Sequence, residues 1–139
     1  MIQCTRQRVQ SGGIADDHRD FRRVVHDFLN QLPNVFVVGE AVDGDDALHK
    51  VEKLFPDVVL MDISMPLMNG IEATRVIKQR WPDTKVIIAT THDDPMYRKQ
   101  AMDARADGFI LKSSMKPSLE ATFCVPSPNT PIQTLNHIK

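Results

Sequence analysis

What most constrains this chain is an alternation. Short runs rich in β-branched residues, Val35-Phe36-Val37-Val38, Asp57 to Asp62, Lys85 to Thr90 and Gly108 to Leu111, are separated by longer stretches with helical spacing of apolar residues. Between Arg19 and Leu32 the helical stripe is Phe21, Val24, Val25, Phe28, Leu29 and Leu32; in the next stretch it is Ala47, Leu48, Val51, Leu54 and Phe55. Two more helices are predicted about Ile71 to Trp81 and Pro95 to Ala104, and Pro33, Pro56 and Pro82 stop the first three. Strands that alternate with helices through short loops form βαβ units with right-handed crossovers. The result is a doubly wound parallel sheet covered on both faces, whose inner strands are apolar on both sides. Four strands are clear and a fifth is predicted over Val9 to Ala15.

At 139 residues the chain has room for one domain, and a composition of 42% hydrophobic and 25% charged residues excludes a disordered or collagen-like class. A net charge of −1 gives no bulk field towards nucleic acid or anionic lipid, so any charge that matters is local. Cys4 and Cys124 show no pairing or zinc spacing, and no apolar stretch has the length of a signal peptide or a membrane span. The expected organisation is an N-terminal extension over 1–8, a domain over 9–124 and a Pro-rich tail over 125–139. The expected compartment is cytoplasmic, with no membrane partner.

Ligands of open parallel sheets bind beyond the C-terminal ends of the strands, so the residues ending each strand carry the information. Here strand one ends in Asp16-Asp17, strand three in Asp62, strand four in Thr90-Thr91 and strand five in Lys112. Three converging carboxylates repel one another unless a cation lies among them, and hard oxygen donors with few fixed protein positions suit a partly hydrated Mg2+. A lysine and a threonine hydroxyl opposite them complete a cradle for a phosphoryl group.

With those residues in view, Ile14 to about Ser114 resembles the receiver domain of bacterial two-component response regulators, NarL/FixJ (LuxR-type) class. The resemblance rests on Ile14-Ala15-Asp16-Asp17-His18, on Asp62-Ile63-Ser64-Met65-Pro66-Leu67-Met68-Asn69-Gly70, on Thr90-Thr91-His92-Asp93-Asp94 and on Leu111-Lys112-Ser113-Ser114. It implies a flavodoxin-like (CheY-like) α/β fold with strand order 2-1-3-4-5. It also implies that Asp62 is the phosphoacceptor, phosphorylated by a sensor histidine kinase with Mg2+. In that reading Asp17 binds the metal directly, Asp16 acts through water, and Asp62 and the Ser64 backbone carbonyl complete the protein's ligands. Lys112 pairs with a phosphoryl oxygen, Thr90 is the switch hydroxyl, and Phe109 takes the place of the aromatic that moves with it, although ordinary core packing accounts for Phe109 equally well. Ser64 and His92 occupy positions that tune hydrolysis of the acyl phosphate.

The implied role is a phosphorylation-dependent signalling module rather than a turnover enzyme, with transcription as the output in the resembling class and a second copy of the chain as a candidate partner on phosphorylation. Only 27 residues follow Lys112, too few for the helix-turn-helix domain of full-length members, so the chain itself is not expected to bind DNA. Two departures stand out. Gly12-Gly13 interrupts what should be an apolar central strand, and Pro126, Pro128 and Pro131 leave room for about two turns of a fifth helix around Leu119, Ala121 and Phe123. They raise a rival reading, a pseudo-receiver that docks partners without being phosphorylated. A flavodoxin-like cofactor binder would need a phosphate-binding loop after strand one, and an aspartate-based phosphatase a second acid where Ser64 stands. The methionines Met61, Met65, Met68, Met96 and Met102 read as core fillers, and His18, His26, His49 and His137 as surface residues without ligand spacing.

Overall fold

The computed structural model describes residues 9–123. Five strands, β1 (Gln10–Ala15), β2 (Val35–Ala41), β3 (Val58–Met61), β4 (Lys85–Thr90) and β5 (Gly108–Leu111), alternate with helices α1 (Arg19–Leu29), α2 (Gly44–Leu54), α3 (Gly70–Arg80), α4 (Pro95–Asp103) and α5 (Met115–Phe123). All pairings are parallel, and the order is β2-β1-β3-β4-β5. The chain has the flavodoxin-like fold that the alternation and the resemblance implied. The proposed boundaries of the extension and tail, and both cysteines, Cys4 and Cys124, lie outside the described residues, as does His137.

Alternating residues of each strand feed two apolar layers. Val59, Met61, Val86 and Ile88 pack with Ala47, Val51, Ile71, Ile77 and Ala101 from α2, α3 and α4. Val58, Leu60, Ile87 and Ile14 pack with Val25, Leu29, Met115, Leu119 and Phe123 from α1 and α5. This division is what a period of two produces when both faces of a sheet are covered.

Several boundaries differ from the sequence reading. α1 stops at Leu29 because the next residues tighten into three-residue turns, with Gln31 N donating to Phe28 O and Leu32 N to Leu29 O, ahead of Pro33. β2 runs on to Ala41, since Gly39, Glu40 and Ala41 pair with Gly13, Ile14 and Ala15. α5 starts four residues ahead of Leu119 because Pro117 falls in its first turn, where a missing N–H costs no helical bond. Met61 and Met65 are core residues as expected, but Met96 and Met102 are 59% and 75% exposed and fill nothing.

β1 is a complete central strand despite its glycines. It pairs on both sides, and the glycines mark a register shift against β2, where Gly12 opposes Val37 but Gly13 opposes Gly39. A Cβ on either glycine would meet its nearest neighbours at 3.7–4.0 Å, so neither position requires glycine for space. Gly70 is different: a Cβ there would lie 1.8 Å from the Asp62 carbonyl oxygen. Only glycine lets α3 begin this close to the end of β3.

Candidate functional site

Register brings the polar strand ends together. Ala15 pairs with Met61, so the next residues, Asp16 and Asp62, are neighbours across the sheet; Asp16 N donates to Ala41 O and Asp62 N to Ala15 O, carrying the ladder one step past the strands. On the other side Thr90 pairs with Leu111, which sets Lys112 just beyond β5, where the chain turns through a short 3-10 segment, Lys112–Ser114.

Asp16, Asp62 and Thr90 are buried, with 1%, 6% and 3% exposure. Burying charge this way is costly unless it is paired. The Lys112 ammonium is the pairing cation, 2.5 Å from Asp16 Oδ2 and 3.4 Å from Asp62 Oδ1, and it lies 4.1 Å from the centre of the Phe21 ring. Phe21 therefore makes a cation–π floor beneath the lysine. One lysine does not balance the acids around it. Burial first, and then the neighbouring Asp16 carboxylate, push Asp62 up from 3.8 to about 6, against the opposing pull of Lys112.

Asp16 is held from three further directions. Its Oδ1 accepts from His18 N at 2.8 Å, the His18 ring Nδ1 stands 3.2 Å from the same oxygen, and its backbone carbonyl accepts from Arg22 Nη1 at 2.7 Å. Arg22 in turn bonds Glu40 Oε1 at the end of β2 through Nε at 2.9 Å. Asp17 is more open, one-third exposed, and its Oδ1 lies 3.0 Å from His18 Nδ1. Donor atoms of Asp16, Asp17, His18 and Asp62 all fall within 4.8 Å of one another. This corrects the sequence reading of His18: its ring is exposed, but it belongs to the acidic cluster. Phe21 and Arg22 were also missed as site residues. Helical spacing reads Phe21 as core, and nothing local pairs it with a lysine 91 positions away.

The remaining expected residues sit around this centre. The Thr90 hydroxyl accepts from His92 N at 3.2 Å, and the His92 ring meets Thr91 Oγ1 at 3.2 Å and the Tyr97 ring edge-on at 6.1 Å. Ser64 is exposed in the loop between β3 and α3. Phe109 is half-buried on the outer part of β5, with the Arg98 guanidinium 4.6 Å from its ring centre and Arg98 Nε bonded to Asp93 Oδ1 at 3.0 Å. Phe109 lines a groove together with Arg98, Met102, Ala106 and Gly108.

Residues 13–123 match the response regulator receiver domain family. The chain is 46% identical over 99 residues to the transcriptional regulatory protein DegU of Brevibacillus brevis, covering 71% of this chain and 42% of that protein. Among solved structures, a LuxR-family two-component response regulator from Aurantimonas sp. SI85-9A1 superposes with a TM-score of 0.76 at 32% identity, covering 80% of this chain and 79% of that one. The signal receiver domain of the putative response regulator NarL from Mycobacterium tuberculosis gives 0.75 at 35% identity, covering 79% and 89%. The chain spans about half the length of the first curated relatives it matches. Among the described residues no helix is long and apolar enough to cross a membrane. Sheet order, acidic centre and the three kinds of likeness lead to one assignment: the chain belongs to the response regulator receiver domain family.

Proposed function

We propose that this domain is a phosphoacceptor switch, with Asp62 as nucleophile. In the transfer an Asp62 carboxylate oxygen attacks the phosphorus of a kinase phosphohistidine; the O–P bond forms as the P–N bond breaks, and the imidazole nitrogen keeps the electron pair and takes up a proton. The observation that carries this reading is the excess of negative charge around a buried nucleophile: Asp16 and Asp62 share one lysine with Asp17 beside them, and Asp62 holds its proton up to about 6. Such a site accommodates a divalent cation, and its carboxylate and carbonyl oxygens are of the hard-oxygen kind that suits Mg2+. Asp17, Asp62 and the Ser64 carbonyl would hold it directly and Asp16 through water. When bound, the ion lowers the acidity barrier at Asp62 and neutralises charge building on the phosphoryl oxygens.

Lys112, already poised between Asp16 and Asp62, would exchange the Asp16 carboxylate for a phosphoryl oxygen. The Thr90 hydroxyl would leave His92 N for the phosphoryl group, and Phe109 would follow by turning inward. In this reading a sensor histidine kinase is the donor, the domain is a signalling module rather than a turnover enzyme, and phosphorylation favours pairing with a second copy. The output is transcriptional control, as the name of the DegU relative has it.

Intact mass after treatment with acetyl phosphate and Mg2+ tests the proposal. One added phosphoryl group is expected on the wild type, none on Asp62→Asn, and none on the wild type without the metal. Equal labelling of Asp62→Asn, or no labelling of a folded wild type, would overturn it.

A further inference from the structure

His18 stands at the N-cap of α1, where Ser, Thr, Asp or Asn would satisfy an unpaired helical N–H. Its side chain makes no capping bond. The ring turns instead to the acids, with Nδ1 3.0 Å from Asp17 Oδ1 and 3.2 Å from Asp16 Oδ1, while its backbone N–H anchors the residue to Asp16. A ring nitrogen carries at most one proton, so it cannot serve both oxygens with a full hydrogen bond. The Asp17 separation also matches neighbouring corners of a coordination shell, because donors at right angles and about 2.1 Å from an ion lie about 3.0 Å apart. The His18 nitrogen and one oxygen from each of the three carboxylates all lie within 4.8 Å of one another.

From this geometry we infer that His18 is a nitrogen donor to the cation site and tilts its selectivity from Mg2+ towards a divalent transition ion. The inference builds on the cation reading of the acidic cluster given above. Mg2+ takes oxygen ligands and keeps its waters, so an imidazole adds little to its binding. Imidazole suits first-row transition ions, whose affinities for nitrogen ligands rise along the series that begins with Mn2+. The ring is 70% exposed, so it can swing onto an arriving ion at little packing cost, and the open edge at Asp17 provides the way in.

Mn2+ is the probe of choice because pulsed electron spin resonance detects a directly bound 14N. The full chain is loaded with Mn2+, its Mn2+ and Mg2+ affinities are measured by titration, and the same is done for His18→Ala, His18→Ser and Asp17→Asn. A strong 14N coupling is expected in the wild type and is lost in both His18 variants, and the ratio of Mn2+ to Mg2+ affinity falls at least about fivefold in them. His18→Ser should also raise the metal-free melting temperature by restoring the cap, which separates loss of the donor from loss of fold. If Mn2+ binding depends on Asp17 but shows no 14N coupling, or if the affinity ratio is unchanged in the His18 variants, the inference is wrong while the cation site stands. If Mn2+ does not bind the wild type, or binds Asp17→Asn equally well, the cation reading fails and the inference with it.

Discussion

The two ends of the β-sheet use aspartate in opposite ways. At the N-terminal end, Asp57 Oδ2 accepts from Ser11 N at 2.8 Å and from Ser11 Oγ at 3.3 Å, while Asp57 N donates back to Ser11. Asp107 Oδ2 likewise accepts from Val86 N at 2.9 Å and from Lys78 Nζ at 2.8 Å. Each of these carboxylates has its own donors and stitches neighbouring strands together. At the C-terminal end, Asp16 and Asp62 share one lysine and face Asp17. The lower carboxylates are structural because their charge is answered. The upper ones leave charge unanswered, which costs stability and creates affinity for a cation and a phosphoryl group.

That contrast predicts stability changes of opposite sign. The largest is expected at the lower end: Asp57→Ala strips the acceptor from the Ser11 N–H in a half-buried seam and should destabilise the fold by about 2–3 kcal/mol in denaturant unfolding. A neutral result would mean that water replaces the carboxylate and the seam is not held by it. At the upper end the sign reverses: without metal, Asp62→Asn should stabilise the protein at pH 7 by about 1–2 kcal/mol, since it removes a carboxylate whose ionisation the fold opposes.

The pH dependence follows from the same imbalance. The folded chain holds the Asp62 proton more tightly than the unfolded chain, so between about pH 4 and about pH 6 the native state binds more protons. Wild-type stability therefore falls with rising pH through that window and the loss is complete above it, a component that should be absent from Asp62→Asn and so be isolated in the difference between the two. A wild-type curve that instead rises relative to the variant across the window would contradict the charge imbalance.

The smallest effect belongs to the strand that joins the two ends. Gly12 and Gly13 have room for a Cβ, so Gly12→Ala should raise stability by roughly 0.5–1 kcal/mol through the entropy of the unfolded chain. A loss on thermal melting would show that the register shift beside them needs glycine's backbone freedom.

Much of this was readable from one dimension because it depends on local order. The β-branched runs and helical stripes set the elements, and the polar residue after each strand named Asp16, Asp17, Asp62, Thr90 and Lys112, because a parallel sheet lines up strand ends whatever the intervening loops do. What escaped depends on tertiary contact. Phe21 meets Lys112 only after α1 and the segment following β5 have come to share one face of the sheet, and His18 joins the acids through a rotamer that spacing does not encode. The glycines of β1 looked like damage because propensity ignores pairing, and a central strand bonded on both sides tolerates them. Met96 and Met102 were misjudged for the opposite reason: α4 buries little of its surface, with Ala101 its one fully buried residue.

Carbon-13 resonances of the Asp62 side-chain carboxyl, followed through a pH titration with and without Mg2+, test the contrast most directly. The account predicts titration near pH 6 in the metal-free protein and a shift well below that when Mg2+ is present, with Asp57 and Asp107 unmoved by the ion. An Asp62 that titrates in the ordinary carboxylate range without metal, or that ignores Mg2+, would contradict it.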